Sequence, residues 1–506
     1  MSKVAEIRDP KALKEVASHL EKTVIRQTKE IAKLRMEVAR LRGQDVNPQI
    51  ELTLLKEQLE GMKRSMFASS SERRPTNDDN GDKDEKKAKT GHGPRSQPNL
   101  PIEKVMHTLS EDERTCSFCG GELTEMGERY EESEEITVIS LEYKILHHHR
   151  QKYRCGCNAK LVTAPGPVKL MPGGRYSIDF AAQVAEHKYL DHLPLERQVR
   201  AMARAGLIID SQTLWDQIEK LARHLQPTYE ALCEEALKAG VIYADETRWQ
   251  MMTKNGSCRW WTWCVASDLI ATYRIFSNRS QKAAEEMLGT YERAVMTDGY
   301  ATYDALLKNG KASADLTIAH CWAHVRRKFI EAEDAYPELS KPAITMIKDL
   351  YKIERKLPRI TPDIPEDERR ERLEVRHAIR QQESRPKIDE IREWAYENLP
   401  KTLAESKMGR ALTYMLKLWP GLTVFLDNPE VPLDNNAAER ALRGVVVGRK
   451  NHYGSRSKRG TEVAALFYTM METAKLSGTD PRAYLREAAT RAIKNPGTIT
   501  LPTDLT

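Results

Sequence analysis

The chain has 506 residues, 40% of them hydrophobic, which is too long for a single domain and too apolar for a wholly disordered chain. Lysine and arginine number 80 against 74 aspartates and glutamates, so a net charge of +6 says less than where the charges fall. The start, MSKVAEIRDPKALKE, is too polar for a signal peptide, and no apolar run nears the roughly 18 residues of a membrane span; a cytoplasmic protein is expected.

Residues 1–66 read as a coiled coil. Ala17, Leu20, Val24, Gln27, Ile31, Leu34, Val38 and Leu41 step by three and four, as heptad a and d positions do. The register resumes at Leu52, Leu55, Leu59, Met62 and Met66, after Gly43, Asp45 and Pro48 have broken the helix. The halves form either a hairpin or two short coils, and a homo-oligomer of at least two chains is expected. An amphipathic helix packed on its own protein is the alternative.

Residues 67–104 read as a flexible linker, dominated by Ser, Asp, Lys, Gly and Pro, with too little apolar surface to offset its ordering entropy. Residues 105–175 read as a zinc ribbon. Cys116 and Cys119 form one knuckle and Cys155 and Cys157 the other, with EEITVISLEYKILHHHRQKYRC between them patterned like paired strands. Eight cysteines in so long a chain argue against a disulfide framework. Four thiolates close a tetrahedral shell, so one structural zinc ion is expected. His147, His148 and His149 are left as strand residues or phosphate contacts.

Residues 176–236 are helical. One helix ends near Ala205-Gly206, and a second starts behind Asp210 or Ser211, either of which is a good N-cap. This is the pattern of a helix-turn-helix DNA-binding module, and Ser211, Gln212 and Thr213 would then meet bases. An ordinary helical hairpin fits the residues as well.

From position 237 the pattern turns to strands. VIYADETRW gives an apolar strand ending in Asp245, and RWWTWCVAS and LIATYRIFS give two more. Then come the helix QKAAEEMLGTYE, the strand RAVMTDGY ending at Asp298, the helix ATYDALLKNG and the strand LTIAHCWAH. Three strands, helix, strand, helix, strand is the order of a ribonuclease-H-like α/β core, in which the ends of the first and fourth strands lie side by side. Asp245 and Asp298 would then approach each other, and two adjacent carboxylates call for a divalent cation.

A third carboxylate is expected from the stretch PLDNNAAERALRGVVVGRKNHYGSRSKRG. Asp434 is read as the N-cap of a helix carrying Asn436, Glu439 and Arg443 on one face, with Glu439 completing the metal site. Asn436, Arg440, Arg443, Arg449, Lys450, Arg456, Lys458 and Arg459 are candidate phosphate contacts, since a basic run beside an acidic site suits a polyanion. Residues 237–325 and 426–475 thus make two parts of one catalytic core, around a helical insertion at 326–425 and before a C-terminal helix and tail at 476–506. His324, in an HCxxH motif just before the insertion, is a candidate to support the site.

The stretches YADETRW, DGYATYDAL, HCWAHVRRKF and PLDNNAAERALRGVVVGRKNHYGS resemble the insertion sequence 66 family of bacterial DDE transposases, and the resemblance runs over nearly the whole chain. Pro is frequent in that family where this chain has Gly444. The resemblance implies a DDE triad at Asp245, Asp298 and Glu439, action at the inverted repeats of a mobile element, and accessory proteins of the same element. Two Mg²⁺ (or Mn²⁺) ions would serve cleavage of double-stranded DNA and joining to target DNA, with no covalent protein–DNA intermediate. Two other readings stay open: a dimeric zinc-containing DNA-binding regulator, and a nuclease of the same fold without strand transfer.

Overall fold

The computed structural model describes residues 142–154, 161–254, 256–308, 313 and 315–505. The expected coiled coil, the linker and all four expected zinc ligands, Cys116, Cys119, Cys155 and Cys157, lie outside the described residues. Just before and after the second cysteine pair, β1 (Lys152–Arg154) and β2 (Leu161–Thr163) form an antiparallel ladder with Lys152 opposite Thr163. The residues ahead of β1 depart from the expected strand: 142–151 are irregular, and His147, His148 and His149 are exposed.

Helices follow. The run expected as one helix up to Gly206 is two, α1 (Ile178–Tyr189) and α2 (Leu195–Arg204). His192 between them takes a positive φ of 58°, and Pro194 sits at the N-cap of α2, so the chain turns there. Gly206 closes α2 at φ 84°, and Asp210 caps α3 (Ser211–Ala236) by accepting the Thr213 amide at 2.7 Å.

The central sheet has five strands: β3 (Val241–Thr253), β4 (Gly256–Ala266), β5 (Ala271–Phe276), β6 (Ala294–Thr297) and β7 (Thr317–His320). Their order is β5-β4-β3-β6-β7. The first three form an antiparallel meander, while β6 lies parallel to β3 and β7 parallel to β6. The parallel strands are reached over α4 (Gln281–Leu288) and α5 (Ala301–Lys308).

Period-two alternation sends the side chains of each strand to two different cores. On one face Ile242, Ala244, Trp263, Val265, Val295 and Ile318 pack on Ala284, Met287, Tyr303 and Leu306 of α4 and α5. On the other face Trp249, Cys264, Ala266 and Tyr273 pack on Leu225 and Leu232 of α3 and on α14 (Lys458–Leu476), which α15 (Pro481–Lys494) backs. The helices of 176–236, expected as a module of their own, therefore share one core with the C-terminal helices.

Residues 322–427 supply seven helices: α6 (Trp322–Glu333), α7 (Pro337–Glu354), α8 (Glu366–Ile379), α9 (Arg385–Asn398), α10 (Lys407–Lys417), α11 (Trp419–Leu422) and α12 (Val424–Asp427). Phe329, Ile347, Leu350 and Leu412 carry their core onto Met296 of β6 and Ala319 of β7. The chain then returns as α13 (Asn436–His452), laid across β3. No helix among the described residues is long and apolar enough to cross a membrane.

The C-terminal end of α13 carries a pH signature. His452 is buried against Trp249 and Tyr189, with ring centroids 5.8 and 6.5 Å away, and its Nε2 lies 3.3 Å from the Tyr468 hydroxyl. Burial, aided by Lys188 and His192, pulls its pKa from 6.5 to about 3. Below pH 6.5 the unfolded chain takes up a proton that the folded one refuses until about pH 3, so stability falls as pH drops through that window. The loss is about 1 kcal/mol per pH unit. Thermal melting at pH 7 and pH 5 should show a smaller acid shift for His452→Gln than for the wild type.

Candidate active site

Strand register brings the two aspartates together. The parallel pairing of β3 with β6 ends at Tyr243 opposite Met296, and Asp245 and Asp298 each lie two residues further on. Contrary to expectation, β3 does not end at Asp245: it runs on to Thr253, paired there with β4 and bridged at Met251 to Ser455. Asp245 thus stands where β6 falls away, while Asp298 lies in the turn just past β6.

That turn is tightly held. The Tyr300 amide donates to Asp298 Oδ1 at 2.9 Å, and the Tyr414 hydroxyl of α10 donates to the Asp298 carbonyl at 2.6 Å. Gly299 takes φ 86°, and a Cβ there would run into the Leu418 side chain, so only glycine fits. His320, at the end of β7, places Nδ1 3.2 Å from Thr297 Oγ1 and Nε2 3.6 Å from Asp304.

Glu439 arrives in the first turn of α13. The expected cap is shifted by one residue: Asn435 occupies the N-cap position, and Asp434 accepts the Asn436 amide at 3.2 Å from outside the helix. The Asn435 side chain donates to the carbonyl of Ala244, next to Asp245, at 2.9 Å. Its backbone amide donates to Cys321 Sγ at 3.2 Å, and the Trp322 amide donates to Leu433 O at 2.9 Å. These bonds tie the start of α13 to β3 and to the β7–α6 junction. His324 Nε2 and an Arg327 guanidinium nitrogen stand 3.6 and 3.7 Å from Glu439 Oε1.

Electrostatics couple Asp245 to the other two carboxylates. Burial first, then Asp298, Glu246 and Glu439, push the Asp245 carboxyl up to about 8, although the Glu246 amide donates to it. Glu439 Oε1 is buried and has no hydrogen-bond partner. Among the described residues no three His, Cys, Asp or Glu side chains close on an ion unaided. The donor set is nonetheless all hard oxygen, which fits Mg²⁺ or Mn²⁺, and a cation would relieve the crowding at Asp245 and give the Glu439 oxygen, which has ion-pair neighbours but no hydrogen bond, a ligand.

Glu246, unremarked in the sequence reading, lies on the opposite face of β3. Its carboxylate is fully buried, is paired with Arg279 and accepts the Tyr303 hydroxyl at 3.0 Å. The Arg279 guanidinium lies 3.5 Å from the Tyr300 ring centroid and 5.0 Å from that of Trp261. A glutamate at an inward position of an apolar strand was the signal that could have found this pair.

The candidate DNA contacts divide. Arg440, Arg443, Lys450, Arg456 and Lys458 are exposed, and Asn436 is half-buried. Arg449 instead ties α13 to the sheet, donating to Thr247 Oγ1 at 2.7 Å and to the Arg248 carbonyl. Arg459 pairs with Glu219 and Glu462 at 3.1 and 3.2 Å. Ser211 donates to Glu196, Gln212 to Asp216 and Thr213 to its cap Asp210.

The mixed α/β fold thus sets Asp245 and Asp298 at one strand level and ties the start of the Glu439 helix beside them. Residues 173–463, more than half the chain, match the transposase IS66 family, and the chain belongs to that family. Residues 113–158 match the zinc-finger binding domain of transposase IS66, a range that contains Cys116, Cys119, Cys155 and Cys157. The chain is thus a transposase, a DNA-cleaving enzyme in the general sense, with a zinc-finger DNA-binding domain. Among curated relatives, the uncharacterized protein y4jD of Sinorhizobium fredii is 28% identical over 77% of this chain and 77% of its own length. The uncharacterized protein y4hP of the same organism is 29% identical over 76% of this chain and 71% of its own.

Proposed function

We propose that the protein cuts the ends of a bacterial insertion sequence and joins them to target DNA, using Asp245, Asp298 and Glu439 on a ribonuclease-H-like core. The observation that carries this reading is the shared level of Asp245 and Asp298 beyond the last β3–β6 pair, with Asn435 anchoring the Glu439 helix beside Asp245. The strand order β5-β4-β3-β6-β7 supports the core assignment.

The three carboxylates would hold two divalent ions, whose Lewis acidity makes an attacking oxygen nucleophilic and takes up charge on the leaving one. Hydrolysis at the element end would break the P–O3′ bond, freeing the element's 3′-hydroxyl and leaving a 5′-phosphate on the flank; in-line attack by that hydroxyl on a target phosphodiester would join the two and expel a target 3′-hydroxyl. Tyr414 and Asn435 keep the carboxylates in position, and Arg440 and Arg443 on the exposed side of α13 meet phosphate. One zinc ion on Cys116, Cys119, Cys155 and Cys157 would be structural. The coiled coil of 1–66 would pair two chains, accessory proteins of the element would assist, and the protein would work in the cytoplasm on the nucleoid.

The test is incubation of the full chain with DNA carrying the element ends, in Mg²⁺ and in chelator. New 3′-hydroxyl ends and joined products in Mg²⁺ alone support the proposal; binding with no cleavage, Mn²⁺ included, overturns it in favour of a regulator. Tyr414→Phe removes one hydrogen bond to the Asp298 turn, worth about 1 kcal/mol. Cleavage should slow about five- to tenfold, with the DNA concentration for half-maximal rate unchanged, as single-turnover kinetics would show.

A further inference from the structure

At the opposite end of α13 from Glu439 lies a pocket of about 350 Å³ that the proposed chemistry does not use. Such a volume sits near the lower end of the range for small-ligand sites. Segments far apart in sequence build it: the end of α1 with the turn before α2 and the start of α3, then β3, and the loop between α13 and α14. Three residues expected to meet DNA, Ser211, Gln212 and Arg456, line it together.

Its walls are aromatic and its charge is positive. Trp215 and Trp249 are both among its lining residues, with Lys188 and Arg456. Glu196 is the single carboxylate among the described lining residues, and its Oε1 already accepts the Ser211 hydroxyl at 2.6 Å. His452, 9% exposed, also lines the pocket, and its Nδ1 is buried without a hydrogen-bond partner. Burial holds that imidazole neutral and pulls Lys188 down to about 8.

Position ties the pocket to the site. Trp249 shares a strand face with Asp245, four residues or about 13 Å away along β3. Glu439 and His452 stand at opposite ends of α13, about 20 Å apart along its axis.

We propose that this pocket receives a single nucleobase extruded from the bound DNA, stacked on Trp215 and hydrogen-bonded by His452, with the Arg456 guanidinium on its phosphate. This rests on the reading of the chain as a DNA-cutting enzyme. Stacking on an aromatic ring and a cation at the backbone are how unpaired nucleotides are held, and extrusion is easiest where the base is already unpaired.

The test compares the affinity of the full chain for a fully paired duplex of arbitrary sequence and for the same duplex with a central one-nucleotide bulge. The wild type should favour the bulged duplex by about tenfold or more, because its unpairing cost is already met. The bulged-to-paired ratio should fall to near one in Trp215→Ala and in Arg456→Ala. Arg456 is exposed, so its variant decides the matter if Trp215→Ala fails to fold. Equal affinity of the wild type for the two duplexes, or a preference kept in a folded variant, overturns the pocket assignment. Failure to bind either duplex overturns the DNA reading along with it.

Discussion

Asp245→Asn, Asp298→Asn and Glu439→Gln should each cut DNA cleavage and joining by about 10³-fold or more, the loss of roughly 4 kcal/mol of charge stabilisation by the metal ions. Each substitution keeps the side-chain shape and removes a charge. DNA binding should survive, because the exposed Arg440 and Arg443 of α13 are untouched. Gel-shift and cleavage assays on the same preparations separate the two.

Asp245 also predicts a stability change of opposite sign. Its folded pKa is raised from 3.8 to about 8, so between those values the folded state holds a proton that the unfolded chain has lost. Stability therefore falls as pH rises through that window. Without divalent ions at pH 7, Asp245→Asn should melt higher than the wild type, by about 2–4 °C for each kcal/mol relieved. Added Mg²⁺ should raise the wild type and leave the variant unmoved. A variant that melts lower in chelator would mean that Asp245 is a structural residue.

Arg380→Ala should be the most destabilising single change in the helical insertion. The Arg380 side chain is fully buried in the π-helical turn Arg380–Ser384. It makes a two-pronged pair with Glu354, at 2.8 and 2.9 Å, and donates to the Phe425 carbonyl at 2.7 Å and the Asn428 carbonyl at 3.2 Å. Its removal strips the half-buried Glu354 carboxylate of its main partner, leaving Arg376 at 3.7 Å, and takes a donor from each of the two carbonyls, of which Asn428 keeps the Val431 amide. The expected loss is about 3–5 kcal/mol. Denaturant midpoints and proteolysis within 326–425 would show it, and a loss below about 1 kcal/mol would contradict it. Arg380→Met combined with Glu354→Leu should recover most of the loss, because the bare charge goes with its partner.

What could be read from the sequence follows periodicity and end signals. Apolar runs broken by Gly and Asp carry the order of β3 to β7, and Asp245 and Asp298 stand out as charges in or just past those runs. The α13 helix was legible from a capping residue followed by Asn436, Glu439 and Arg443 on one face, with the cap one residue off. The long-range partners were not. Nothing local marks Asn435 as a donor to Ala244, or Tyr414 as a donor to the Asp298 turn, since each bond spans more than a hundred residues. Arg449 was read as a phosphate contact because a guanidinium serves phosphate and carbonyl equally well; only the fold decides which it meets. The break at Leu190–Pro194 was missed because the apolar pattern of α1 continues into α2.

The most direct test of a carboxylate metal site replaces Asp298 with Cys and assays DNA cleavage in Mg²⁺ and in Mn²⁺. A thiolate binds Mg²⁺ poorly and the softer Mn²⁺ better. The structure predicts loss of cleavage in Mg²⁺ and recovery in Mn²⁺. Undiminished cleavage by Asp298→Cys in Mg²⁺, or wild-type cleavage with all divalent ions chelated, would contradict it.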